Sequence, residues 1–348
     1  MNFVFLYTEL ADYVVYCMNK LAERGNEVYV VRWEVNAEAP FQFKTSKKVK
    51  LYSRNDYQTK EELLGLINQI QPSKIICSGW VDKLYLQICK VYYKKVPTIL
   101  TLDNHWTGSP KQRLATLASP FLLRTKFSHA WVPGDKQYKY ALKLGFDSTV
   151  IRKGFYCANA ELFSKMYKEN KESKKELFPH VFLYVGRYVK HKGIFDLWEA
   201  FIEFQDEQKT EWELWCVGTG DQYENRREHA KIRHFGFVQP DDMPEIVEKS
   251  GVYILPSHFE PWGVTLQEFS LAGFPLLCSD KVGASELFLE ENINGFSFES
   301  GNKGSIKKAF KKVLESSNNK LFEMHKKSNS IGLKINPDLW IENLMEFK

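Results

Sequence analysis

Two cations five positions apart, Arg187 and Lys192 in GRYVKHKG, precede two carboxylates eight positions apart, Glu260 and Glu268 in HFEPWGVTLQE. Each pair sits where an apolar run gives way to turn residues and then to a helical pattern. Gly186 and Gly193 beside the cations let backbone come close to a ligand. A guanidinium and an ammonium next to a helix start suit a diphosphate. Glu268 can accept two vicinal hydroxyls, as a ribose presents them. Amides of Gly263, Val264, Thr265 and Leu266, following Trp262, open the helix and can cradle phosphate. Between the two pairs lie VGTGDQ, with Gly218 and Gly220 after a strand, and FGFVQP, where Gly236 leads into Phe237 and Val238, which can flank a base. Each piece also has an ordinary reading. Arg187 and Lys192 would serve equally as solvated surface charge, and Glu260 as a helix N-terminal charge contributing ~0.3–1 kcal/mol. Glu268 lies in the second turn, too deep to cap. VGTGDQ has Tyr223 where a dinucleotide fingerprint needs its third glycine, which argues against a nicotinamide site.

Positioning these groups requires alternating strands and helices. Short β-rich apolar runs at residues 3–7, 28–32, 75–77, 98–102 and 130–132 alternate with helical patterns reaching residue 21 and near 61–70 and 84–93. The alternation restarts after a lysine- and glutamate-rich stretch at 165–175, with strand candidates at 181–185, 213–217, 232–235, 252–255 and 275–278. The pattern predicts an α/β chain of two Rossmann-like parallel-sheet domains with a hinge near 154–163. Ligands of such sheets bind beyond the carboxyl ends of the strands, where every loop named above falls.

The bulk numbers agree with two domains: 348 residues, 44% hydrophobic and 15% aromatic, enough to build two cores. No run of 18 apolar residues suggests a membrane span. The first residues, MNFVFLYTELADYVVY, read as a strand and helix and not as a leader. Six cysteines stand singly among apolar neighbours, which predicts reduced buried thiols and no zinc. The net charge of +5 is uneven. Residues 1–155 carry 23 lysines and arginines against 13 carboxylates, and residues 156–348 carry 25 against 30. A basic first half suits an anionic acceptor, an anionic membrane or nucleic acid. Nucleic acid is disfavoured because no binding motif occurs and the basic residues are not interleaved with aromatics. Two stretches concentrate the charge. SPKQRLATLASPFLLRTKF (109–127) has Lys111, Arg113, Arg124 and Lys126 with no carboxylate, and Leu114, Leu117, Phe121 and Leu122 at helical spacing, with Pro120 expected to kink or break the helix. PFQFKTSKKVK (40–50) is the second. Either would fit a membrane surface or an ordinary half-buried element.

Taken together, GRYVKHKG, VGTGD, HFEPWGVTLQE and the following AGFPLLCSDKVGASELFLEENINGF, with Gly283, Glu286, Asn294 and Gly295, resemble glycosyltransferase family 4 over residues 150–300. The resemblance implies a GT-B fold: an acceptor-binding domain at 1–155, a nucleotide-sugar-binding domain at 156–330, the two facing across a cleft, and a C-terminal helix at 331–348 returning to the first domain, with Trp340, Leu344 and Phe347 packing there. It implies a retaining hexosyltransferase taking sugar from a UDP- or GDP-type donor to an acceptor hydroxyl, in cell-surface polysaccharide or lipid-linked oligosaccharide synthesis. Arg187 and Lys192 would hold the diphosphate, Glu268 the ribose, and Glu260 would lie near the sugar. His105, in DNHWTG after the strand at 98–102, matches the family's histidine facing the donor sugar. The catalytic set expected is therefore His105, Glu260, Arg187 and Lys192, with Thr8, Asp103, Asn104 and Trp106 on the acceptor side. The first strand departs from the family: YTELADYVVY has no glycine pair. No cofactor is expected beyond the donor, and no metal, since Asp-x-Asp is absent from the sequence. A cytoplasmic protein is expected, with peripheral contact at the inner membrane face left open. A nucleotide-sugar epimerase, which would release product without an acceptor, a non-catalytic sugar-nucleotide binder and a nucleic-acid-binding protein are the competing readings.

Overall fold

A computed structural model describes residues 1–35 and 40–348. They divide into two compact units. Unit 1 takes residues 1–35 and Phe41–Cys157 together with Ile335–Lys348; unit 2 is Pro40 and Ala158–Lys334.

Unit 1 alternates β1 (Asn2–Tyr7), α1 (Asp12–Glu23), β2 (Glu27–Arg32), β3 (Val49–Ser53), α2 (Lys60–Ile70), β4 (Lys74–Ser78), α3 (Lys83–Tyr92), β5 (Thr98–Thr101), α4 (Pro110–Leu122), β6 (His129–Trp131), α5 (Asp135–Lys143) and β7 (Ile151–Arg152). Its seven strands pair in parallel in the order β3-β2-β1-β4-β5-β6-β7. Helices on both faces explain why β1 and β4 are nearly continuous apolar runs and do not alternate. The start of α2 is fixed by a capping box between Thr59 and Glu62. Against expectation, Pro120 does not break α4. It sits in the last turn, where the helix is already ending, and the amide of Leu123 still reaches the Ser119 carbonyl.

Unit 2 runs α6 (Ala160–Glu176), β8 (Val181–Val185), α7 (Ile194–Gln208), β9 (Glu213–Val217), β10 (Ile232–His234), α8 (Pro244–Lys249), β11 (Val252–Leu255), α9 (Val264–Leu271), β12 (Leu276–Ser279), α10 (Ser285–Phe288), β13 (Gly295–Phe298), α11 (Lys303–Leu314) and α12 (Asn318–Gly332). Its parallel sheet has the order β10-β9-β8-β11-β12-β13, so successive strands leave in opposite directions from the β8–β11 pair. That reversal opens a crevice at the carboxyl ends of those two strands.

The charged stretch at 165–175 is not a break between units but the middle of α6. Phe163, Met166, Asn170 and Lys174 form its buried stripe. The Lys174 ammonium donates to the carbonyls of Val247 and Ser250, each at 2.8 Å, and lies over the Phe274 ring. Burial pulls its pKa down to about 7. His325 of α12 is equally enclosed, between Tyr167 and Phe322, and burial, aided by the Lys174 charge, lowers its pKa to about 3.

The last helix, α13 (Pro337–Met345), belongs to unit 1. Trp340 packs on Trp131 at a 4.9 Å ring separation and donates from Nε1 to the Phe155 carbonyl at 2.7 Å. Phe347 caps the same aromatic cluster, and the Lys74 ammonium binds the carbonyls of Met345 and Phe347.

Candidate functional site

Three loops at the carboxyl ends of β8, β9 and β10 are sewn together by their own backbone. The Gly186 amide donates to Val217, Tyr188 to Thr219, Gln222 back to Tyr188, and Gly218 to the Gly236 carbonyl at 2.7 Å. Gly218 makes this possible: φ is +135°, and a Cβ there would lie 2.0 Å from the Gly186 carbonyl oxygen. Gly218→Ala should therefore lower stability by ~2–4 kcal/mol, from backbone strain plus overlap. Urea denaturation of the variant checks this, and a midpoint equal to wild type would show that the loops are not locked as described. Gly193 ties the β8 loop to β11, since its Cβ would stand 2.2 Å from the Pro256 carbonyl oxygen.

This framework brings the charged groups together. The Lys192 ammonium pairs with Oε2 of Glu260, which also accepts from Ser257 Oγ at 3.2 Å; both charged side chains are largely buried. Glu260 is not a helix N-terminal charge. Its backbone bridges to Val282, and its carbonyl accepts from Gly283. Arg187 leaves the same β8 loop, its carbonyl held by the Tyr184 hydroxyl at 2.8 Å. His191, between Lys190 and Lys192, was not among the expected residues. Burial lowers its pKa first, the Lys192 and Arg187 cations lower it further, and Glu260 and Asp221 oppose them. The signal available in the sequence was its place inside the basic loop.

Glu268 lies in the second turn of α9, and Tyr253 of β11 relates it to Glu260. The Tyr253 ring stacks on Phe269 at 4.3 Å, and its hydroxyl donates to Thr265 Oγ1 at 2.7 Å. Burial raises the tyrosine pKa most, the bond to Thr265 opposes that, and the Glu268 and Glu260 charges both add to the rise. The charges of both carboxylates are thus felt at one buried hydroxyl. No side chain caps α9, so its first turn, Val264 and Thr265, must find acceptors outside the helix. Leu266 differs from expectation: it is fully buried, and its amide is spent on the Gly263 carbonyl. Trp262 is buried against Phe288 and serves as packing, its carbonyl accepting from Ala284. Phe237 and Val238 are half-buried beyond β10.

In unit 1 the expected polar residues also gather at strand ends. Thr8, after β1, bonds through its amide and hydroxyl to Oγ of Ser78, the last residue of β4. Asp103, after β5, accepts from the Tyr156 hydroxyl at 3.2 Å and from Asn104. His105 is half-buried, its carbonyl taken by Gln112, and burial followed by the Lys136 charge lowers its pKa. Trp106 packs on Tyr140 with the Lys143 ammonium over its ring.

Among the described residues no cluster of three histidines, cysteines or carboxylates could hold a metal, and no helix is long and apolar enough to cross a membrane. All six cysteines are buried outside disulfides.

Residues 166–330 match the family described as glycosyl transferases group 1. A Bacillus subtilis protein assigned to teichuronic acid biosynthesis as a glycosyltransferase is 29% identical over 152 residues, 41% of this chain and 36% of that one. The 2-deoxystreptamine N-acetyl-D-glucosaminyltransferase of Niallia circulans is 25% identical over 252 residues, 65% and 62% of the two chains. The matches span about a third to a half of the first relatives' length. Sucrose-phosphate synthase from Thermosynechococcus elongatus superposes with a TM-score of 0.74 at 16% identity, covering 99% and 98% of the two chains. HepE of Anabaena, solved with UDP and glucose, gives 0.73 at 15% identity over 99% and 98%. The fold is therefore GT-B: two Rossmann-like, parallel-sheet α/β units.

Proposed function

We propose that this protein is a metal-independent, retaining glycosyltransferase. Unit 2 takes a nucleotide diphosphate sugar of the UDP or GDP type, and a hexose passes to an acceptor hydroxyl in polysaccharide or lipid-linked oligosaccharide synthesis. The observation that carries this reading is the buried Lys192–Glu260 pair, with Arg187 beside it, at the point where the unit 2 sheet reverses. A pair of cations held on a rigid backbone, next to an uncapped helix start, has the charge to stabilise a departing diphosphate without reorganising. Glu268 accepts the ribose hydroxyls and Glu260 faces the sugar. The family match over residues 166–330 and the UDP-bound and UDP-glucose-bound HepE structures support a nucleotide-sugar donor. His105 faces the donor sugar as part of the catalytic set, by the sequence resemblance, and Asp103, Asn104, Trp106 and Thr8 form the acceptor-side set. In the step itself the anomeric carbon–phosphate oxygen bond breaks, the acceptor oxygen bonds to that carbon on the same face, and the departing diphosphate oxygen takes the acceptor's proton, so no separate base is required.

Thermal-shift titration with UDP, GDP and ADP, each with and without EDTA, tests the reading. One nucleoside diphosphate at 100 times its dissociation constant should add ~2.7 kcal/mol to stability, and EDTA should not change the shift. Silence from all three diphosphates would sink the donor site, and a shift abolished by EDTA would sink metal independence.

A further inference from the structure

Helix α4 is oriented the opposite way from an ordinary amphipathic helix. Its protein-facing side is polar: Gln112 binds the His105 carbonyl and the Thr107 and Gly108 amides, and Ser119, the only buried residue of the helix, donates to the Leu144 carbonyl at 2.6 Å. Its outward side is apolar. Leu114, Leu117 and Phe121 are 68, 76 and 78% exposed, and Leu122 is 56% exposed beside them. A helix normally turns such a stripe to the core, and here the protein's own polar contacts hold it toward solvent. The charges that this segment itself carries are of one sign: Lys111 and Arg113 are exposed, and no carboxylate occurs between Ser109 and Phe127.

We propose that this face of α4 seats in the interfacial region of an anionic lipid bilayer, with the three outward apolar residues among the acyl chains and Lys111 and Arg113 at the headgroups. The charge decides between occupants. A second copy of the chain would bring Lys111 and Arg113 against the same cations, whereas an anionic lipid surface complements them. Because the polar contacts to unit 1 hold the helix in place, its apolar side chains are presented without any rearrangement.

Co-sedimentation of the full-length chain with phosphatidylcholine vesicles, with and without phosphatidylglycerol, tests this. Wild type should pellet with the anionic vesicles and much less with the neutral ones. Leu117→Ser/Phe121→Ser should weaken the partition at least ~10-fold, and Lys111→Gln/Arg113→Gln should remove most of its dependence on phosphatidylglycerol and on salt. Circular dichroism melts of both variants should match wild type, since all four positions are exposed. Failure of wild type to pellet at low salt, or undiminished pelleting of the serine variant, would overturn the proposal. So would a wild-type dimer in size-exclusion chromatography that the serine variant converts to monomer, since the face would then cover a second copy.

Discussion

Glu260→Gln is expected to cut sugar transfer by ~100-fold or more while leaving nucleoside diphosphate binding intact or tighter, and Lys192→Ala is expected to lose both. The reason lies in the pairing. With no ligand present, the Lys192 charge is spent on Glu260 in a largely buried contact. An incoming diphosphate must share that ammonium. Glutamine keeps the shape and the hydrogen bond from Ser257 but removes the competing charge, so the ammonium becomes more available to phosphate. What disappears is the carboxylate beside the reacting sugar, and a ~100-fold loss corresponds to about 2.7 kcal/mol of transition-state stabilisation. Lys192→Ala instead strands a buried carboxylate, which costs ~3–5 kcal/mol of stability and weakens the phosphate site together. Isothermal titration with the nucleoside diphosphate, set beside turnover with the matching donor, separates the two variants. If they lose binding and turnover in the same proportion, the carboxylate and the ammonium do not have the separate roles assigned to them.

His325→Phe should flatten the acid side of the stability profile. The native imidazole has a pKa of about 3 because burial disfavours its charged form, while the unfolded chain titrates near 6.5. Below about pH 6.5 the unfolded state binds a proton that the native state refuses, so stability falls as pH falls, and the loss is complete only near pH 3. By about pH 5 this group alone should remove ~2 kcal/mol. Lys174 acts in a different window. Its native pKa of about 7 lies below the unfolded value near 10.4, so stability rises with pH between those values and the lysine adds no slope below 7. Urea midpoints at about pH 7 and pH 5 therefore isolate the histidine. The phenylalanine variant starts lower at neutral pH by ~1–2 kcal/mol from crowding, and it should lose much less than wild type on acidification. An equal loss in both proteins would mean that other groups govern the acid limb.

The strands around the candidate site were readable because both faces of each are buried, leaving uninterrupted apolar runs such as those of β8 and β11. The cations and carboxylates were readable because turn residues flank them. Three kinds of feature were not. Strand β13 begins with Gly295, which looks like a turn residue. A Cβ there would lie 1.9 Å from the Leu276 carbonyl oxygen, so close pairing with β12 demands the residue that strand propensity penalises. Helix α6 was obscured because its buried stripe uses Asn170 and Lys174, and a lysine gives no hint that two backbone carbonyls will receive it in the core. In α4 the apolar spacing correctly indicated a helix. The spacing cannot say which side faces the protein, and Gln112 and Ser119 decided that through contacts distant from the stripe. His191 illustrates a further limit: the carboxylates that oppose its neighbouring cations, Glu260 and Asp221, are distant from it in the chain.

The return of Ile335–Lys348 to unit 1 sets an order of events during synthesis. Apart from Pro40, the described residues of unit 2 form one stretch, Ala158–Lys334, and all its strands have been made once that stretch has left the ribosome. Unit 1 begins first but finishes last. Until the final helix arrives, Trp131, Phe5 and Phe155 lack their Trp340 neighbour, and the Lys74 ammonium lacks its two carbonyl acceptors. The nascent amino-terminal sheet must wait with an open aromatic seam while the whole second unit is made, so it is the portion of the chain most exposed to chaperones, proteases and mispairing.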